Sequence, residues 1–261
     1  MPIASNYLIA KVVGLAVALI VVPALLAVAQ RNEMSAAQFD VGYAYQTGEG
    51  IRKDPAAAIG WYRRAAQAGN VGAQFMLGFM YRTGEEITPD HAEALKWYRK
   101  AAEAGDGASA SEIGAMYEHG VGVIADSREA ARWYKIAADR GEDNGAANLG
   151  RCYRDGRGVP QDDREAVRLL RIAAEAGDAA AQSDLGVAYG RGRGVGRDEV
   201  QACKWFTIAI NSGDRDAQTN RTFVVKRMTA QQIAQAEREA KEFVPKPNSQ
   251  SRLPASLQRT R

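Results

Sequence analysis

The chain has 261 residues, of which 46% are apolar and 25% charged, the proportions of a folded globular protein. Its formal charge of +3 is unevenly spread: residues 37–216 hold 23 basic and 27 acidic side chains, net −4, whereas residues 217–261 hold nine basic and three acidic. A mildly acidic body with a basic end excludes the basic folded surface that a nucleic-acid reader needs.

The chain opens on an export signal. Lys11 is the only charge among the first 30 residues, and Val12–Ala29 is an uncharged run ending in Ala27-Val28-Ala29 before Gln30. Small residues at those positions fit signal-peptidase cleavage after Ala29, and Pro23 breaks the apolar helix just before it. The alternative is an uncleaved inner-membrane anchor, with membrane contact through residues 8–29, because about 18 apolar residues approach the ~20 that span a bilayer. Both readings place the remainder in the periplasm or cell envelope, with Lys11 on the inner side. Residues 30–36 are expected to be a linker.

From residue 37 one sentence recurs. WYRRAAQAGN begins at Trp61, WYRKAAEAGD at Trp97, WYKIAADRGE at Trp133, LLRIAAEAGD at Leu169 and WFTIAINSGD at Trp205, each 36 residues after the last. A fixed period of this size means stacked units rather than one compact domain. The five units are 37–72, 73–108, 109–144, 145–180 and 181–216.

Within a unit, Ala73, Leu77, Met80, Tyr81 and Gly84 follow helical spacing, as do Ala37, Val41, Ala44, Tyr45 and Gly48. Loop glycines end this first helix. Asp54, Asp90, Asp126, Asp162 and Asp198 then cap a second, and Glu93, Glu129, Glu165 and Gln201 three residues later predict capping boxes. The second helix presents Ala58, Tyr62, Ala65 and Ala66 on one face. Gly42, Gly78, Gly114, Gly150 and Gly186 let neighbouring helices close in on the aromatic positions. The predicted fold class is therefore all-α, an α-solenoid of five helix-turn-helix repeats. Residues 217–244 are read as a C-terminal capping helix pair, with a box at Thr229 and Gln232, and 245–261 as a disordered basic tail.

The segments LGFMYRTGEE (Leu77–Glu86) and ALKWYRKAAEAGD (Ala94–Asp106) closely resemble the Sel1-like repeat, a relative of the tetratricopeptide repeat. The resemblance covers residues 37–216, with departures at Leu169 and Leu170, where the aromatic pair is lost, and at Glu86. It implies scaffold and regulatory roles, with first helices lining a concave face that grips a partner.

Chemistry is sparse. His91 and His119 stand at loop positions of neighbouring units, with no second histidine at i+4. Cys152 and Cys203 occupy positions that are small or apolar in other copies, and so read as buried hydrophobes on different helices. Gly120-Val121-Gly122 and its copies lie between helices rather than after a strand, so they are turn glycines and not a nucleotide loop. No Ser-x-x-Lys, His-Glu-x-x-His or Cys-x-x-Cys occurs. The reading is a non-enzyme with no cofactor and no metal.

The candidate site is a surface. Positions two, six and nine residues after each repeat start lie opposite the constant stripe at 100° per residue. They give Phe39, Tyr43 and Gln46; Phe75, Phe79 and Arg82; Ser111, Ala115 and Glu118; Ala147, Arg151 and Arg154; Ser183, Val187 and Gly190. The partner-binding set read from them is Phe39, Tyr43, Gln46, Phe75, Phe79, Arg82, Glu118, Arg151 and Arg154, an aromatic end followed by charge, suited to a protein or peptide. The alternative function is an envelope enzyme or glycan-binding module acting on peptidoglycan or exopolysaccharide. That reading predicts carboxylates and aromatics in one cleft, with an acid of raised pKa.

Overall fold

The computed structural model describes residues 26–84 and 87–246, and every regular element among them is a helix. Helix α1 covers residues 26–47 of the described chain. It is followed by α2 (Pro55–Gln67), α3 (Val71–Thr83), α4 (His91–Glu103), α5 (Gly107–His119) and α6 (Ser127–Asp139). Then come α7 (Asp143–Asp155), α8 (Asp163–Ala176), α9 (Ala179–Arg191), α10 (Glu199–Asn211), α11 (Ala217–Val225) and α12 (Ala230–Lys241). The chain divides into two compact units, one up to Pro89 and one from Asp90 onward. The first contains α1–α3 and the second α4–α12.

Most helices start at a capping side chain, and the caps form two sets. Asp54, Asp90, Asp126, Asp162 and Asp198 cap α2, α4, α6, α8 and α10. Asn70, Asp106 and Asp178, the last residues of the recurring sentence, cap α3, α5 and α9 in the same way. The expected capping boxes are only half made. Each aspartate accepts from the N3 backbone, but Glu93 turns to Lys96 and Trp97, Glu129 to Arg132, Glu165 to Arg168 and Gln201 to Glu239. For the three glutamates, a charged neighbour one turn along the helix attracts the carboxylate more strongly than one backbone N–H; the Gln201 amide instead donates to a carboxylate on α12. Thr229 and Gln232 do form the reciprocal box, at the start of α12.

Residues 30–36, expected as a linker, are helical and continuous with α1. Nothing there breaks a helix, and Arg31 and Ser35 tie it down: Arg31 donates to the Gln67 carbonyl, and Ser35 accepts from Asn70 at 3.5 Å. The export or anchor segment lies outside the described residues apart from 26–29, which are helical and exposed. Among the described residues no helix is long and apolar enough to cross a membrane. At the other end, Pro245 and Lys246, assigned to the tail, are held in place. The Lys246 amide donates to the Glu175 carbonyl at 2.7 Å, and Pro245 lies beside Gly177. The rest of the tail is outside the described residues.

Two contacts repeat through the packing. The first is a glycine–aromatic fit: a Cβ on Gly114 would stand 2.6 Å from the Tyr134 ring, and one on Gly42 2.8 Å from Tyr62. The second joins adjacent repeats. Arg63 donates to Tyr81 Oη at 2.6 Å, Arg99 to Tyr117 at 2.8 Å and Arg171 to Tyr189 at 2.7 Å. At the corresponding place in the third repeat, Lys135 turns back to Asp139 on its own helix. Loops dock as well: Gly158, with φ +75°, lies so close to the Ser127 carbonyl that any side chain would collide with it. Cys152 and Cys203 are buried free thiols, and burial pushes Cys152 up to about 11.

Candidate functional site

The nine proposed contact residues separate once burial is known. Phe39 is buried, its ring 5.4 Å from that of Tyr62, so it belongs to the core of the first unit. Gln46 accepts from the Tyr62 hydroxyl at 2.7 Å. Tyr43, Phe75 and Phe79 are half-buried, and Arg82 stacks over Phe79 at 5.8 Å. The expected aromatic end therefore loses its first ring to packing and keeps three partly covered ones.

The same correction applies in the second unit. Ser111 and Ala147, two residues after their repeat starts, are buried. Glu118, nine residues after, accepts from the Tyr134 hydroxyl at 2.6 Å and also pairs with Arg157. Burial alone would raise the Glu118 pKa, but the Tyr134 hydroxyl and Arg157 more than offset this and hold it below its usual value. First helices are covered on two sides, by their own second helix and by the next repeat. The open strip is consequently narrow and turned by one residue from the expected axis. It runs through Glu112, Ala115 and His119 on α5, Asn148, Arg151 and Asp155 on α7, and Asp184, Val187 and Arg191 on α9. These share i, i+3, i+7 spacing, which puts each trio on one face.

An ion-pair ladder crosses the strip. Arg151 reaches Asp184 at 2.9 Å and Asp178 at 3.7 Å, while Arg154 reaches Asp184 at 2.6 Å and Asp155 at 2.7 Å. Arg157 links Asp155 to Glu118. The two-pronged contact with Arg154 holds the Asp155 carboxyl below its ordinary pKa despite some burial.

The ladder exists because of a departure visible in the sequence. In the first and third repeats, the tyrosine of the second helix holds the residue at position nine, Gln46 or Glu118. The fourth repeat has Leu170 there, which packs on Gly150 and carries no hydroxyl. Arg154 therefore meets no tyrosine hydroxyl in its own repeat and, while paired with Asp155, also crosses to Asp184 in the next. The shorter side chain also leaves a cleft of about 240 Å³. Its floor is Ala166, Val167, Leu170, Val187 and Ala188, and its rim is Arg154, Asp155, Asp163, Asp184, Arg191 and Arg193. Arg193 pairs with Asp163 at 3.0 Å. Arg191, exposed at the end of α9, has no carboxylate partner among the described residues.

Among the described residues one carboxylic acid has a raised pKa, and it lies outside this cleft. Glu142 is pushed up to about 7 by burial, with Asp143 and Asp106 adding repulsion. It occupies the cap position held elsewhere by Asp106 and Asp178, but it makes no cap hydrogen bond to α7. Glutamate is one methylene longer than the aspartate that caps elsewhere; its Cβ packs beside Gly107, and its carboxylate accepts from the Asn144 side chain at 3.4 Å instead. Of the histidines, His119 is exposed, whereas His91 is half-buried beneath Gly122. Among the described residues no group of three or more His, Cys, Asp or Glu is placed to hold a metal ion.

Helix pairs at a 36-residue period, joined by repeated Arg–Tyr bonds, define the class as an α-solenoid of interaction repeats. The Sel1 repeat model matches residues 35–70, 71–106, 107–142, 144–178 and 179–214, and the chain belongs to the Sel1 repeat family. Each match begins one or two residues before the frame read from periodicity, and three of them begin directly after Asn70, Asp106 and Asp178, the residues that cap α3, α5 and α9. A Sel1 repeat protein from Oxalobacter formigenes is 36% identical with a TM-score of 0.68, over 80% of this chain and 85% of that one. A protective antigen of uropathogenic Escherichia coli displaying an SLR fold is 34% identical with a TM-score of 0.75, over 87% of this chain. This chain spans about half the length of that antigen, 48% of it. The immunity protein PA5088 of Pseudomonas aeruginosa shares the fold, at 19% identity and a TM-score of 0.50. No curated protein matches the chain. Sel1 solenoids are typically non-catalytic scaffolds for protein interaction.

Proposed function

We propose that this protein is an exported scaffold of the cell envelope that holds an extended peptide segment of a protein partner along the first helices of repeats 3–5. The observation that carries the reading is the strip itself. The first helices of three successive repeats, α5, α7 and α9, carry Ala115, Asn148, Arg151, Asp184 and Val187 in one register, partly open and mixed in polarity. Arginine beside small apolar floor residues is the composition of an interaction anchor. The paired arginines and aspartates are preorganised, so little side-chain entropy is lost on binding. Export rests on the uncharged run Val12–Ala29 and its Ala27-Val28-Ala29 end.

Two measurements test it. A mixed octapeptide pool titrated against the full chain should bind, and Asn148→Glu or Val187→Glu should weaken binding at least tenfold while Arg168→Ala on an outer helix does not. Binding unaffected by both strip variants removes the groove. The intact mass and cell fraction of the protein from its host test export: a chain beginning at Gln30 in the periplasm is expected, and a full-length chain in the cytosol overturns it.

A further inference from the structure

We propose that the cleft between α7, α8 and α9 receives the C-terminal residue of the bound peptide, with its aliphatic side chain on the Val167–Leu170–Val187 floor and its free carboxylate on Arg191. The proposal rests on the groove reading above and adds the chemistry of the occupant.

Size restricts the ligand first. The cleft's roughly 240 Å³ falls below the ~300–1,000 Å³ of a site that encloses a whole organic ligand. It accommodates one residue, not a run of them. The floor then selects an aliphatic group, since Ala166, Val167, Leu170, Val187 and Ala188 offer no hydrogen bond from their side chains. Charge makes the last selection. Arg154 and Arg193 are already ion-paired with Asp155, Asp184 and Asp163, so neither guanidinium is free to take a ligand. Arg191 is one turn beyond Val187 on the same face of α9 and remains uncompensated by any described carboxylate. A guanidinium takes a carboxylate through two parallel N–H donors. Only in a chain-terminal residue are a carboxylate and an aliphatic side chain borne on the same carbon, so that one residue satisfies floor and rim together.

The floor of the cleft departs from the repeat pattern at Leu170. Tyrosine stands in place of Leu170 in repeats 1, 2 and 3, as Tyr62, Tyr98 and Tyr134, and all three are fully buried. A tyrosine at 170 would fill the floor and return a hydroxyl toward Arg154.

The test uses the full-length chain and two synthetic octapeptide pools, randomised at seven positions and ending in leucine, one with a free carboxylate and one amidated. The free-acid pool is expected to bind at least tenfold more tightly. Arg191→Ala should abolish that difference without changing the melting temperature by more than a few degrees, since Arg191 is exposed. Leu170→Tyr should weaken the free-acid pool alone. Equal binding of both pools, or a free-acid preference that survives Arg191→Ala, overturns the terminal-carboxylate assignment and leaves the groove standing. An amidated pool with an internal glutamate that binds as well as the free acid also overturns it. Failure of every pool removes this proposal and the groove together.

Discussion

Glu142 shows how one side chain sets a local balance. Its equivalents are short and cap a helix; it is long, half-buried, and faces Asp106 and Asp143, with Arg140 directed to the Asp106 carbonyl. Its pKa is about 7 in the folded protein against an ordinary 4.5, so the folded state binds the proton more tightly than the unfolded state. The stability this group contributes is therefore complete below about pH 4.5 and is lost as the pH rises through 7. Glu142→Asp restores the cap and is expected to raise the melting temperature by a few degrees at pH 8, the gain shrinking toward zero at pH 4. Melts of both chains across that range check it, and a gain independent of pH refutes the account. Gly114 makes the opposite point, because there the absence of a side chain is what matters. Gly114→Ala places a methyl 2.6 Å from the Tyr134 ring and should cost ~1–3 kcal/mol in urea unfolding.

Helix starts can be dissected element by element. Asp162 accepts from the backbone of Arg164 and Glu165, and Glu165 spends its side chain on Arg168. Asp162→Ala is expected to destabilise by about 1 kcal/mol. Glu165→Ala should cost only ~0.2–0.5 kcal/mol, the worth of an exposed pair one turn apart. The double variant should be additive, because the two residues do not form a reciprocal box; coupling above about 0.5 kcal/mol would show that they do. The helices, their loops and the caps of the second helices were legible in the sequence because each depends on residues within a few positions of one another. The direction of the Glu165 side chain was not legible, since two partners compete for it at nearly equal sequence distance.

On the scale of the whole molecule, the second unit is closed by its C-terminal helices. Phe243 meets Trp205 edge-on at 5.6 Å, and Lys246 reaches back to Glu175. In a repeat array each unit depends on its neighbours, so losing an end cap loosens the nearest repeat first. Phe243→Ala is expected to cost about 1–2 kcal/mol, less than the ~3–5 of a fully buried ring. Amide hydrogen exchange should accelerate in α10–α12 and remain unchanged in α4–α6. Uniform acceleration across α4–α12 would mean that the unit unfolds as one body.

The sequence by itself determined the repeat, its period, the position of nearly every helix, the small-residue packing positions and the family. All of these follow from local spacing. The open face was decided only by tertiary structure. Reading a helix as one buried stripe and one free side put Phe39, Ser111 and Ala147 outside, and they are inside because each first helix is covered from two directions. Arg151 and Arg154 were found by that reading, but Asp184 was not, because what joins it to them is a contact 30 or more residues away, and Arg191 was not, because only the shape of the cleft brings it beside them. The cleft they share was written in the sequence only as a departure in one repeat, leucine at 170 where the first three repeats have tyrosine. Its meaning appears only where Leu170, Arg154 and Asp184 meet in space, because a missing hydroxyl has no consequence until the group it would have held is free to turn elsewhere.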